Sequence, residues 1–166
     1  MEWAAEDLER TFRECFLAEY ATILVGGGCE PVYLPSADPD VSPHRVVYRE
    51  DYLASALHEI AHWCLAGRER RRLEDYGYWY RPDGRSAVEQ AEFERAEARP
   101  QALEWIFSDA CGVAFHLSAD NLSGVGGAGP DFEARVRLVK RGLLEGGLPA
   151  RAARFFDALK AMHSDR

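Results

Sequence analysis

The sequence predicts an α+β fold, a predominantly helical single domain over residues 1–166 with one small antiparallel sheet. Apolar residues recur at helical spacing through most of the chain, which favours helices as the main element. Three short β-rich runs between positions 22 and 48 are bounded by glycine and proline, which indicates a few strands. A chain of 166 residues is long enough to bury a hydrophobic core without disulfides or structural metals.

Local signals place the predicted helices. Ser86 and Glu89 stand in the spacing of a capping box, which predicts that a helix begins there. Pro100 lacks a backbone donor and restricts Arg99, so we expect one helix to end near Glu97 and another to begin near Pro100. The remaining helices are predicted over residues 4–20 and 51–67 and over two later apolar-patterned stretches. The first of these stretches is 132–143, and the second carries Ala153, Phe156, Leu159 and Ala161 or Met162.

The predicted strands lie between the first two helices. They are Thr22–Val25, Pro31–Pro35 and Arg45–Tyr48. Gly26, Gly27 and Gly28 are read as a turn after the first strand, because the lysine and serine or threonine of a phosphate-binding loop do not follow them.

Composition narrows the class of protein. A net charge of −8 argues against direct nucleic-acid binding as the main activity. No apolar run reaches the length of a membrane span, and the acidic N-terminal segment lacks the features of a secretory signal, so we expect a cytoplasmic protein without a membrane partner. The four cysteines form no CxxC pair, which argues against a zinc knuckle and a redox dithiol.

The motif His58-Glu59-Ile60-Ala61-His62 is the most informative stretch of the chain. Residues four apart on a helix leave the same face, so both imidazoles can bind one metal ion. Each histidine could instead be an ordinary core residue with its own hydrogen bonds. The His-Glu-x-x-His pattern inside a well-formed helix favours metal binding and predicts a zincin-like metal-binding helix.

A third protein ligand must come from elsewhere, because metal centres with open positions commonly add a carboxylate to two histidines. By position, the acidic residues rank Glu97 first, Glu94 second and Asp75 third. Each of them could be an ordinary solvated acid.

Two further segments are candidates for substrate binding. The basic cluster Arg68 to Arg72 lies beside the predicted site and is either a solvated face or a dock for an acidic partner. The aromatic residues Tyr76 to Tyr80 either wall a substrate pocket or form a core strand and turn.

Beyond these motifs, most of the chain resembles the bacterial elongation factor P hydroxylase family. The resemblance is carried by the runs Glu30–Pro35, Tyr52–Gly67, Gly77–Tyr80, Pro82–Arg85, Arg99–Trp105, Asp120–Leu122 and Pro149–Phe155. It implies a metal-dependent protein-lysine hydroxylase that acts on the β-lysylated lysine of elongation factor P. It also implies a two-histidine-one-carboxylate iron site at His58, His62 and a downstream glutamate, for which both Glu94 and Glu97 fit and Glu97 is preferred.

The same resemblance assigns expected roles to other residues. Fe(II) with dioxygen and a reductant fits the ligand set, although other divalent metals can occupy such a site. Glu59 would support the site or handle protons. Tyr78, Trp79 and Tyr80 would line the slot for the β-lysyl arm, and Asp75, Asp83 or Glu94 would pair with its ammonium groups. Arg71, in the basic cluster, would hold the folded partner beside the slot, and Arg85 is a further candidate for substrate binding.

The rival reading is a zinc peptidase, in which Glu59 takes a proton from metal-bound water. A binding module that has lost catalysis is a third reading.

Overall fold

The fold is described by a computed structural model that covers residues 2–76, 86–118 and 130–166. The described residues form five α-helices, three strands and one short 3₁₀ turn at Arg70–Arg72. In chain order the elements are α1 (Ala5–Tyr20), β1 (Thr22–Gly28), β2 (Val32–Leu34), β3 (His44–Arg49), α2 (Leu53–Leu65), α3 (Ala87–Cys111), α4 (Pro130–Gly146) and α5 (Ala150–Ser164). The predominantly helical α+β prediction is confirmed, while the single-domain and zincin-like assignments stay predictions.

The sheet is mixed, so the prediction of an antiparallel sheet is wrong. Its strand order is β1-β3-β2, with β1 parallel to β3 and β2 antiparallel to β3. Residues 29–43 separate β1 from β3, which is enough chain to return to the starting end of β1 before β3 begins. The His44 N–H accordingly donates to the Ala21 carbonyl at 2.7 Å, which aligns the first residues of the two parallel strands.

The glycine triplet belongs to a strand, which corrects the predicted turn. β1 continues through Gly28, and its register against β3 shifts between Val25 and Gly28. Gly27 has a φ of +85°, a conformation that glycine adopts without steric cost. At Gly26 a Cβ atom would lie 2.7 Å from the ring of Tyr48, so the close approach of that ring requires glycine.

α3 runs without interruption from Ala87 to Cys111, with Pro100 inside it, so the predicted break at Pro100 is wrong. The proline removes one helical hydrogen bond, but burial on both sides of it holds the helix together. Ala98, Ala102 and Leu103 are buried around it. The predicted start is confirmed, because the Ser86 hydroxyl and Glu89 carboxylate each accept a backbone N–H at 3.2 Å.

An aromatic cluster joins the helices around α2. Phe12 and Phe16 of α1 contact Trp63 of α2 with ring centroids 5.1 and 4.7 Å apart. Phe155 of α5 contacts Phe107 of α3 at 5.1 Å and Phe16 at 6.2 Å. On α5 the buried residues are Ala152, Phe155 and Leu159, so the predicted stripe through Ala153 and Phe156 is displaced by one residue at its start.

The packing leaves α2 between the aromatic cluster and α3, with the sheet alongside. Ile60, Trp63 and Cys64 face the core, and all four cysteines are free thiols. No helix among the described residues is both long and apolar enough to cross a membrane.

Candidate metal centre

His58 and His62 project from the same face of α2, as their spacing predicts. Their Nε2 atoms lie 3.1 Å apart. The α2 residues at positions 57, 60, 61 and 64 are buried against the core, which fixes the rotation of the helix about its axis. The imidazole pair is therefore turned toward α3.

Glu97 of α3 completes a group of three converging ligand atoms. One carboxylate oxygen lies 3.2 Å from His62 Nε2, and the other lies 3.8 Å from His58 Nε2. Metal–ligand bonds of about 2.0 to 2.1 Å at angles near 90° to 110° place neighbouring donors about 2.8 to 3.4 Å apart. The three donors fit one metal ion after small shifts, and no other such group is found among residues 2–76, 86–118 and 130–166.

Glu104 contacts His58 on the side of the ring away from Glu97 and His62. Its Oε1 lies 2.7 Å from His58 Nδ1, the ring nitrogen on the far side from the converging Nε2. A carboxylate at this distance accepts a hydrogen bond from the Nδ1–H group, so a metal bound to His58 would take the place of a proton at Nε2. Burial alone would lower the pKa of His58, but the hydrogen bond to Glu104 and the charges of Glu97 and Glu104 outweigh it and raise the pKa to about 10.

Glu97 is held ionised in a nearly buried position. Burial would raise the pKa of its carboxyl group, but the hydrogen bond from His62 and the charges of both histidines lower it to about 2. Gln101, one turn later, directs its side-chain nitrogen to Glu97 at 3.4 Å and accepts the Ser118 N–H at 3.0 Å. The amide thus ties the carboxylate to the chain beyond α3.

The two carboxylates and the two imidazoles differ in exposure. Glu97 and Glu104 side chains are 6% and 9% exposed, whereas His58 is 27% and His62 17% exposed. The open side of the cluster is therefore the α2 side. A site of this shape has a closed wall of carboxylates and an accessible face for substrate.

Glu59 lies next to the cluster and lines a narrow cavity of about 20 Å³ with His62, Trp63 and Tyr33. Burial raises the pKa of the Glu59 carboxyl group, against the lowering effect of the two histidine charges. The residue shares the cavity with His62 and is not a member of the converging group.

The other predicted site residues have different outcomes. Glu94 lies outside the converging group. Asp75 is also outside it, but it lines the cavity beside Glu59, bonds to Arg70 and pairs with Tyr33 as a β-bridge. Arg71 lines the same cavity, and its guanidinium donates to the Ala66 carbonyl at 2.7 Å. Tyr78, Trp79, Tyr80, Asp83 and Arg85 lie outside the described residues.

Sequence reasoning did not select Glu104 or Gln101. Glu104 follows Glu97 by seven residues, which is close to two helical turns and places both carboxylates on one face. The predicted helix break at Pro100 concealed this relation, because two separate helices would have no common face.

The fold and the converging donors define a small helical α+β protein with a candidate metal centre between two helices. A model of the elongation factor P hydroxylase family matches residues 11–166. The chain is 48% identical to the elongation factor P lysine hydroxylase of Haemophilus influenzae over 164 residues, which cover 99% of this chain and 92% of that protein. The chain belongs to the elongation factor P hydroxylase family.

Proposed function

We propose that this protein is a metal-dependent hydroxylase of a lysine side chain of elongation factor P. The name of the Haemophilus influenzae relative supports the reaction and the protein substrate. The observation that carries the metal dependence is the convergence of His58, His62 and Glu97 on one point, with Glu104 behind His58. Oxygen insertion into an unactivated C–H bond fits a centre with two histidines, one carboxylate and open positions.

The chain's own residues would act mainly by holding the centre in place. His58 and His62 would donate Nε2 lone pairs, and Glu97 would add a negatively charged oxygen from α3. Bound Fe(II) would supply the redox chemistry for dioxygen, which neither imidazole nor carboxylate can supply. Glu104 would keep the Nδ1 proton on His58, and Gln101 would keep the Glu97 carboxylate from rotating away from α2.

The favoured substrate is the lysine of elongation factor P that already carries a β-lysyl group. One oxygen atom of O₂ enters a C–H bond as a hydroxyl, and the other leaves as water. An external reductant provides the two electrons, and two protons come from the solvent. In this proposal the cavity beside His62 lies on the approach of the arm, where the Glu59 carboxylate offers a partner for an ammonium group. Asp75 lines the same cavity and would have to exchange its partner Arg70 for the ammonium group. Mn²⁺, Zn²⁺ and other divalent ions can compete for the same donors.

Glu59 separates this proposal from the zinc peptidase. In a peptidase Glu59 would be the central base, so that Glu59→Gln would abolish turnover. In the hydroxylase it would position substrate or protons from beside the centre, and Glu59→Gln would retain measurable turnover. Membership of the hydroxylase family and the shared placement of Glu59 and Asp75 in one cavity support the second role.

The deciding experiment is mass spectrometry of β-lysylated elongation factor P. The substrate would be incubated with protein purified without oxygen and loaded with Fe(II), then exposed to O₂ and a reductant. We expect a gain of one oxygen atom on the modified lysine, and no gain with the Glu97→Ala variant. An unchanged mass with the metal-loaded wild type contradicts the proposal, and stoichiometric zinc with peptide cleavage would favour the peptidase.

A further inference from the structure

An open cleft of about 490 Å³ lies where β2 meets the turn after α2. We call it the basic cleft, because Arg68, Arg71 and Arg72 line it. Glu19 is the acidic residue of its lining, and that carboxylate is paired with Arg154 at 2.7 Å. The cleft is therefore a local concentration of positive charge on a chain whose net charge is −8.

The charges of the basic cleft are accessible. Arg68 is exposed, and Arg72 has 71% of its side chain exposed, with Glu69 at 3.4 Å. A surface pair at this distance is worth about 0 to 1 kcal/mol and leaves the guanidinium open to a second partner. His44 also lines the cleft; burial lowers its pKa, and its Nδ1 accepts the Ser36 N–H at 2.7 Å. The positive charge of the cleft therefore comes from its arginines.

The basic cleft borders the cavity that contains His62 and Glu59. Tyr33 and Arg71 line both spaces and so form a wall between them. A ligand seated in the cleft would lie one side chain away from the cavity beside the candidate metal centre.

This wall is held by hydrogen bonds from three elements. The Tyr33 hydroxyl donates to the Arg71 carbonyl at 2.7 Å, and the Arg71 guanidinium donates to the Ala66 carbonyl at 2.7 Å. The Tyr33 and Asp75 backbones exchange hydrogen bonds of 2.8 and 3.1 Å. The cleft is thus positioned relative to His62 by the sheet edge and by the end of α2, which favours specific docking over loose attraction.

We infer that the basic cleft docks an acidic surface of the protein substrate next to its target lysine. This inference rests on the proposed function, and it names the surface that the protein partner uses. The lysine arm and its surroundings have opposite charges in this arrangement. The arginines of the basic cleft attract acidic side chains outside the cavity, while the Glu59 carboxylate lies inside it for the cationic arm. Asp75 in that cavity is already paired with Arg70.

The test measures binding and turnover separately. The variant Arg68→Glu/Arg72→Glu reverses two exposed charges of the cleft, and Arg135→Glu/Arg141→Glu reverses two exposed charges on α4, which packs against α3. Affinity for β-lysylated elongation factor P would be measured at low and high salt for the Fe(II)-loaded proteins without oxygen. KM and kcat would be measured on the intact factor and on a short β-lysylated peptide, with tRNA binding as a further measurement.

We expect the cleft variant to weaken binding of the intact factor by about tenfold or more at low salt and to raise KM, with kcat unchanged. The loss should shrink at high salt, because exposed charges are screened. The short peptide should be turned over equally by the cleft variant and the wild type. The affinity of Arg68→Gln/Arg72→Gln for the intact factor should lie between those of the wild type and the cleft variant, because this variant removes the charges without reversing them.

Several results would overturn the inference. Two of them concern the variants: the α4 variant weakens binding of the factor as much as the cleft variant does, or the cleft variant binds the factor as tightly as the wild type. The other two are that the wild type does not bind the factor, or that the cleft variant loses affinity for tRNA and keeps its affinity for the factor. Wild-type binding through the cleft without any gain of oxygen would contradict the proposed function and leave the docking surface intact. Hydroxylation by the wild type with an unchanged KM in the cleft variant would support the proposed function and contradict the docking surface.

Discussion

The two sides of α2 pack against different kinds of residue, aromatic on one side and polar on the other. One side packs Trp63 among Phe12 and Phe16, a cluster of aromatic rings that buries apolar surface. The other side directs His58 and His62 at the carboxylates of α3. Five of the seven buried polar residues in the described part of the chain lie on α3: Gln90, Glu97, Gln101, Glu104 and Ser108. Burial of the aromatic side contributes to the free energy of unfolding. Burial of the polar side costs free energy, because charged and polar groups lose their contact with water.

This contrast explains why one helix can carry both roles. Packing of the aromatic side fixes the rotation and position of α2. Because His58 and His62 lie on this helix, the same packing determines where their imidazoles lie. Polar residues placed between rigid helices hold their geometry better than residues on a loop. The predictions below test whether the two sides can be separated by mutation, beginning with the largest expected effect.

The largest effect is expected from loss of a predicted ligand. Glu97→Ala or His62→Ala should reduce both bound metal and turnover to less than about 1% of wild type, because two remaining donors hold a metal weakly. Metal analysis and the mass assay measure the two quantities. Glu94→Ala, on the same helix, serves as the matched control and should keep both; if it abolished metal binding while Glu97→Ala did not, the ligand assignment would be reversed.

On the aromatic side, Phe16→Ala should lower the free energy of unfolding by about 3 to 5 kcal/mol, because Phe16 is fully buried and its removal leaves a cavity. Denaturant unfolding of the metal-free protein measures this loss. The folded fraction should still bind one metal ion per chain. Stability equal to wild type would show that the aromatic cluster does not hold α2 as described.

Removal of metal should destabilise the protein without unfolding it. A metal present at about one hundred times its dissociation constant adds about 2.7 kcal/mol to a folded state that alone binds it. Thermal unfolding with and without a chelator measures this as a decrease in Tm. In Glu97→Ala the chelator should have little effect, and an equal decrease in that variant would place the metal elsewhere.

A smaller effect is expected at Glu104. Glu104→Gln keeps an oxygen that can accept the His58 Nδ1 proton but removes the negative charge, so metal affinity should fall by about 10- to 100-fold. Competition with a chelator of known affinity measures it. Glu104→Ala should lose more, since it also removes the acceptor. Identical affinities for wild type and both variants would mean that His58 does not depend on Glu104.

The smallest effect is expected at Gln101. Gln101→Leu should leave metal stoichiometry unchanged and reduce turnover by less than about tenfold, because the contact to Glu97 is long at 3.4 Å and His62 also bonds to that carboxylate. Turnover at saturating metal measures the change. A complete loss of metal would give Gln101 a larger role than its distance indicates.

Local interactions made much of the architecture predictable. The capping box of Ser86 and Glu89, the apolar stripes of the helices and the pairing of His58 with His62 each involve residues within four positions of one another. Such relations depend on helix geometry alone. The strand count was also predictable, because β-rich runs and their glycine or proline boundaries are local features.

Non-local packing decided the rest. Parallel pairing of β1 with β3 depends on the path of the connection between them, and the persistence of α3 through Pro100 depends on burial of its neighbours. These long-range effects outweigh the local preferences, which predicted an antiparallel sheet and a helix break at Pro100.

By itself, the sequence determined that two imidazoles leave one face of a helix, because a spacing of four residues leaves little freedom. Only the tertiary structure decided which carboxylates meet them. Glu97 and Glu104 reach the histidines because α3 is continuous and packs against α2, bringing together residues up to 46 positions apart in the chain. Contacts over such separations are set by how whole helices pack, and no short pattern of residues specifies that packing.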